Sequence, residues 1–241
     1  MKLRQLLLPM LLAATLPLLA AVTPDTVSTS KGPLKITPIK HASVMLEFDG
    51  KVIHVDPWSQ GDYTGLPKAD VIFITDIHGD HMDPAKIAEI KKQGTVIVAP
   101  AAVAKTVTEA TVINNGESKT IAGIQVEAVP MYNLVRGPST GKLFHDKGRG
   151  NGYVLTLGGK RIYFSGDTEC IPEMKALKNI DIAFVTMNLP YTMPPEEAAE
   201  CVKAFKPKIV YPYHYRDSDL NVFTNALKDE KGIEVRLRKW Y

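Results

Sequence analysis

Apolar positions along this chain come in short blocks, and the period within them switches repeatedly between that of a strand and that of a helix. Residues 34–39, 43–48 and 51–55 read as strands, the last two joined through Asp49-Gly50, a hairpin turn of the favoured two-residue type. The apolar run 71–74 predicts another strand. Residues 84–93 then take helical spacing at Ile87, Ala88 and Ile90, with Pro84 at the start and Gly94 as a stop. Further on, 95–99 reads as strand, 100–106 as a short helix, 112–129 as a set of short strands, and 152–157 with 161–164 as a hairpin through Gly158-Gly159. The last third alternates again, with strands at 182–186, 209–213 and 233–237 and helices at 195–205 and 220–228. Strands alternating with helices indicate α/β layering.

The first 21 residues stand apart from this pattern. Lys2 and Arg4 form a basic start, 6–19 an apolar centre and Ala20-Ala21 a small-residue cleavage region, the plan of a secretory signal. Pro9 and Pro17 and the short apolar length argue against a membrane anchor, which needs about 20 apolar residues. Export to the periplasm or beyond is therefore expected, with no stable anchor after cleavage. Residues 22–33, rich in Thr, Ser and Pro, read as a disordered leader, and 34–241 as one domain. Without Lys2 and Arg4 the 29 basic residues become 27 against 26 acidic ones, so the charge falls from +3 to +1. A balanced surface makes no electrostatic case for nucleic acid, leaving a small-molecule substrate as the expected partner.

The chemistry concentrates in Asp76-Ile77-His78-Gly79-Asp80-His81, directly after the strand at 71–74. If that strand ran on extended, its period of two would put Asp76, His78 and Asp80 on one face. Gly79 then lets the chain turn and bring His81 beside Asp80, while Asp83 before Pro84 suits a helix N-cap. Imidazoles and carboxylates packed this closely suit a divalent cation of zinc, manganese or iron type.

This stretch resembles the His-x-His-x-Asp-His signature of the metallo-β-lactamase superfamily, with Asp76 in place of the first His. Other landmarks fall in the same order: His41-Ala42-Ser43, Asp56-Pro57-Trp58, Ser165-Gly166-Asp167-Thr168 and Tyr211-Pro212-Tyr213-His214. They are most similar to the branch that includes ascorbate-6-phosphate lactonase. The resemblance implies a four-layer αβ/βα sandwich and two divalent metal ions. One ion would take the residues matching Asp76, His78 and Asn133, the other Asp80, His81 and His214, with Asp167 bridging. Asn133 stands where the family usually has a His, so both departures affect one ion's position.

The same resemblance puts Asp56 beneath the site, where it either supports a ligand by hydrogen bonding or simply ends a strand. It places His41 close by, whereas His54 reads as a packed strand residue. His145, ahead of the Gly-rich Gly148-Arg149-Gly150-Asn151-Gly152, could complete the altered position, touch substrate or be an exposed loop residue. Tyr132, Tyr191, Tyr213 and Tyr215 flank the site in sequence as wall residues or oxyanion partners, and Arg136 is the nearest cation for an anionic substrate. The compartment permits a disulfide between Cys170 and Cys201, though their spacing does not show that they meet. The implied function is a metal-dependent hydrolase acting on an ester, lactone or related bond, with Asp80 as ligand and orienting base. The alternatives are a phosphodiesterase or phospholipase-like enzyme, and a metal-binding protein without catalysis.

Overall fold

The structure, a computed structural model, describes residues 24–241; the export signal read in residues 1–21 lies outside them. Two seven-stranded sheets pack face to face. The first holds β1 (Asp25–Thr29), β2 (Gly32–Lys40), β3 (Ser43–Phe48), β4 (Lys51–Val55), β5 (Ala69–Phe73), β6 (Lys91–Ala99) and β7 (Thr111–Val112), in that order. The second holds β8 (Ser118–Ile121), β9 (Ile124–Met131), β10 (Gly150–Leu157), β11 (Lys160–Phe164), β12 (Ile182–Thr186), β13 (Ile209–Tyr213) and β14 (Glu234–Val235). Each sheet begins as an antiparallel meander and ends in parallel strands, from β4 onward in the first and β11 onward in the second.

The parallel strands are apolar on both faces because both are covered. In β5, Val71 and Phe73 enter the core between the sheets, while Ile72 and the following Ile74 pack under α1 (Pro84–Ile90) and α2 (Ala101–Ala104). In β12, Ile182 and Phe184 face the other sheet, while Ala183 and Val185 face α3 (Pro172–Lys175), α4 (Pro195–Phe205) and α5 (Leu220–Leu227). Period two in the strands thus generates four layers, the αβ/βα sandwich. Asp49 and Gly50 both take positive φ, as the hairpin turn between β3 and β4 requires.

Three expectations change. Residues 22–33 are not a disordered leader as a whole: β1 pairs with β2, and Val27 packs on the central core. The Tyr211 hydroxyl and Arg238 guanidinium, each 2.6 Å away, donate to Asp25, so partners distant in sequence order this segment. Helix α1 ends at Ile90 rather than 93, because Lys91 already pairs with Ala69 and the Thr95 hydroxyl donates to the Ala69 carbonyl. Gly94, at φ 85°, serves the resulting register shift in β6 and not a helix stop. Beside α3, Cys170 and Cys201 form a disulfide, with Cα atoms 5.5 Å apart.

Candidate metal centre

Strand ends from both sheets meet along one edge of the sandwich, the place where α/β folds display chemistry. From the first sheet come His41 (between β2 and β3), Asp56 (after β4) and residues 75–81 (after β5). From the second come Asn133 (after β9), His145 (before β10), Asp167 (after β11) and His214 (after β13). Backbone hydrogen bonds tie the two halves there, from Asn151 N to the Thr75 carbonyl at 2.9 Å and from His214 N to the His41 carbonyl at 3.0 Å. His41, Asp56, His214 and Arg216 all take positive φ, between 43° and 56°. Non-glycine residues pay about 1–2 kcal/mol each for that conformation, and such strain gathers where a site requires it. Gly166, at φ 61°, lies against Met131 and Thr75, leaving no room for a side chain before Asp167.

The extended reading of Asp76, His78 and Asp80 holds only in part. The amides of His81 and Met82 both bond the His78 carbonyl, at 3.0 and 2.8 Å, so the chain curls immediately after His78. Asp76 and His78 therefore meet each other, Oδ2 to Nδ1 at 2.9 Å. Asp80 turns instead to His41 Nε2 at 3.0 Å and towards His214 Nε2 at 3.7 Å. One short segment feeds two clusters, Asp76-His78-His145 and His81-Asp167-His214, with Asp80 and His41 beside the second.

Each imidazole is aimed by a partner. Buried Asp56 accepts from the Thr75 amide and hydroxyl, both at 2.7 Å, and from His81 Nδ1 at 2.9 Å, which directs His81 Nε2 into the centre. His145 Nδ1 bonds Asn133 Oδ1 at 2.7 Å, which turns His145 Nε2 inward. His41 Nδ1 is bonded to the Tyr241 hydroxyl, and its ring lies 3.6 Å from that of His214. Because an ionised Asp80 can only accept, His41 donates to it through Nε2 and takes its second bond from Tyr241. Burial pushes the His41 pKa down to about 4, so it is neutral at physiological pH.

Nε2 of His81, His145 and His214 and Oδ1 of Asp167 are buried without hydrogen-bond partners. They nonetheless converge: Asp167 oxygens lie 3.3 Å from His81, 3.2 Å from His145 and 3.3 Å from His214. For a tetrahedral ion with bonds of 2.0–2.1 Å, the distance between neighbouring ligand atoms is about 3.3 Å. Charge agrees with this geometry. Burial alone would lower the pKa of His81, yet Asp167, Asp56 and Asp80 raise it well above the histidine norm. Burial works against the Asp167 carboxylate too, but His214 and His81 hold it well below the usual range. The centre is short of positive charge, and its bare nitrogens suit a divalent cation.

Several expected residues are placed elsewhere. Asn133 is no ligand: its amide donates to Glu169 (3.0 Å) and the Tyr191 carbonyl (2.8 Å), and its oxygen is held by His145. Arg136 is paired with Glu169 at 3.1 Å and Glu197 at 2.8 Å, away from the centre. Tyr132 points its hydroxyl to Glu173, 2.9 Å away, and Tyr213 is buried with its hydroxyl bonded by the Gly166 amide. Tyr191 does line the cavity of about 320 Å³ over the centre, with His78, Asp80, Phe144, Asn188 and Arg216. His54 is packed, its Nε2 on the Pro67 carbonyl.

Three contributors escaped the sequence reading. Arg149 clamps Asp76, Glu169 fixes the 133–136 loop, and Arg216 supplies the cavity's cation. Arg149 lies inside the Gly-rich stretch already singled out, Glu169 directly follows Ser165-Gly166-Asp167-Thr168, and Arg216 follows His214 by two positions, but nothing local marks their direction.

A model of the beta-lactamase superfamily domain matches residues 35–214. A UPF0173 metal-dependent hydrolase of Geobacillus sp. is 34% identical over 219 residues, spanning 83% of this chain and 95% of that protein. Its counterpart from Thermococcus kodakarensis is 31% identical over 196 residues, 76% and 84% of the two chains. A crystal structure from Parabacteroides distasonis, described as that of a candidate metal-dependent hydrolase, superposes with a TM-score of 0.86 at 46% identity, over 91% of this chain and 100% of that one. Igni18, a metallo hydrolase of Ignicoccus hospitalis, shares the fold with a TM-score of 0.72 at 24% identity, over 86% and 95%. The two-sheet sandwich, the His/Asp edge and these similarities together establish that the chain belongs to the metallo-β-lactamase superfamily, among its UPF0173 metal-dependent hydrolases.

Proposed function

We propose that the chain is an exported hydrolase of an ester or lactone bond in a small polar or anionic molecule, held to its task by a divalent ion of zinc, manganese or iron type. The observation that carries this reading is the convergence of buried, unpartnered Nε2 atoms of His81, His145 and His214 on Asp167, directly below an open cavity. Asp80, His81, Asp167 and His214 would hold one ion, and Asp76, His78 and His145 offer a second position. A bound ion supplies acidification of water and charge stabilisation at the attacked group.

The chain's own groups do the rest. Asp80 and Asp167 both line the cavity, and the His41 Nε2–H bond keeps Asp80 ionised and oriented to accept a proton from the attacking water. Arg216 has no ion-pair partner among the described residues and faces both this cavity and an adjoining cleft of about 550 Å³. That cation is the specific support for an anionic substrate, and Phe144 and Tyr191, edge to face at 5.0 Å, add an aromatic wall to the same cavity.

The test is turnover by metal-loaded protein of aryl esters and lactones with and without a carboxylate, beside bis(p-nitrophenyl) phosphate. Asp80→Asn should lower kcat by at least about 100-fold. Arg216→Gln should raise KM for carboxylated substrates and leave neutral ones unchanged. Turnover of the phosphodiester alone would point to the phosphodiesterase alternative. Export is checked separately, by an intact mass lacking the first 21 residues or so.

A further inference from the structure

The two halves of the centre differ in what already holds their oxygens. Nε2 of His81 and His214 and Oδ1 of Asp167 are bare, and so is Nε2 of His145 in the other half, so the difference lies in the carboxylates. At the other half the buried Asp76 carboxylate is engaged on both oxygens. Arg149 Nε donates to Oδ1 at 3.0 Å and Nη2 to Oδ2 at 2.9 Å, and His78 Nδ1 lies 2.9 Å from Oδ2. The third Arg149 nitrogen, Nη1, donates to the Phe144 carbonyl at 2.9 Å, so the guanidinium is fixed in the loop that also carries His145. A two-pronged guanidinium–carboxylate pair is geometrically matched and permanently charged, and cannot yield its place by losing a proton.

Charge counting separates the halves further. Asp167 is shared, with Oδ1 3.3 Å from His214 and Oδ2 3.2 Å from His145, but Asp80 adds a further negative charge to the His81–His214 position alone. At the Asp76 position the carboxylate is already neutralised by Arg149, and His78 and His145 add no negative charge. A buried Asp without a counter-ion would be costly, so the carboxylate at 76 and the arginine at 149 make sense as a pair.

We propose that Arg149 is a built-in cation standing in for much of the second ion's charge. The Asp76-His78-His145 position would then bind a divalent ion far more weakly than the Asp80-His81-Asp167-His214 position. This inference rests on the reading of the latter as a metal site. The protein would work with one firmly held ion, the second position filling only at high free metal.

Metal-free full-length protein, titrated with Zn²⁺ and separately with Mn²⁺ against a competing chromogenic chelator, tests this. Elemental analysis after dialysis accompanies the titration. The wild type should retain one ion per chain and bind a second about 10- to 100-fold more weakly. Arg149→Met should tighten the second event and move retained metal towards two, while Arg149→Lys, which keeps the charge, should stay near the wild type. Two ions of equal affinity in the wild type, or loss of the second event in Arg149→Met, would overturn the proposal. If circular dichroism shows Arg149→Met unfolded, Asp76→Asn decides: one retained ion supports the proposal, and none overturns it. No ion in any form would defeat the metal-site reading itself, an outcome distinct from two equal ions.

Discussion

His54 shows what burial does to a histidine that the centre does not use. Its ring lies between β4 neighbours and Tyr63, Nε2 donates to the Pro67 carbonyl, and Nδ1 has no partner. Burial pushes its pKa down to about 4 from the usual 6.5. In the unfolded chain this histidine takes a proton below pH 6.5, whereas in the folded chain it does so only near pH 4. Stability from this residue is thus complete above pH 6.5 and declines as pH falls through the window, by up to about 3 kcal/mol. Urea unfolding at pH 7 and pH 4.5 should therefore show His54→Leu losing less stability over that interval than the wild type. An equal loss in both would mean that His54 contributes nothing to the acid limb. The histidines of the centre are organised differently. His81, His145 and His41 each have one nitrogen tied to a carboxylate, amide or hydroxyl partner, so that the other faces the centre.

At the scale of elements, the disulfide joins the turn after β11 to the middle of α4, closing a separation of 31 residues. That segment includes Glu173, which receives the Tyr132 hydroxyl, and it follows directly on Asp167. Closing a loop of this length is worth about 3–4 kcal/mol. Replacing both cysteines by Ala should lower unfolding free energy in urea by that amount, and denatured wild type should show two titratable thiols only after reduction. Much of the element pattern was legible beforehand. Helix α4 and strands β12 and β13 fall where alternation and helical spacing put them, because the strands alternate between two cores and α4 turns one apolar face to the outer of them. The ligand-bearing loop after β5 was legible by composition but not by shape, since the curl at His78 depends on backbone bonds that leave no mark in residue type. Side-chain direction was harder still. Tyr132 and Asn133 are adjacent, and only their surroundings in the fold send one to Glu173 and the other to His145. Arg149 finds Asp76 across 73 positions, a pairing that a single sequence does not display.

Across the whole molecule, the centre lies on the seam between the two sheets. The first sheet contributes His41, Asp56 and the loop from Asp76 to His81, and the second contributes His145, Asp167 and His214. A cation held there would join the sheets electrostatically where the backbone already joins them, and would offset the buried negative charge around Asp167. The most direct test is metal content per chain, by elemental analysis, of protein purified without added metal or chelator, beside a His81→Ala/His214→Ala double variant. At least one divalent ion per chain in the parent, and only traces in a variant that keeps its native circular dichroism, is the predicted result. Equal metal in the two proteins, or none in the parent, would contradict a metal centre built on His81, Asp167 and His214.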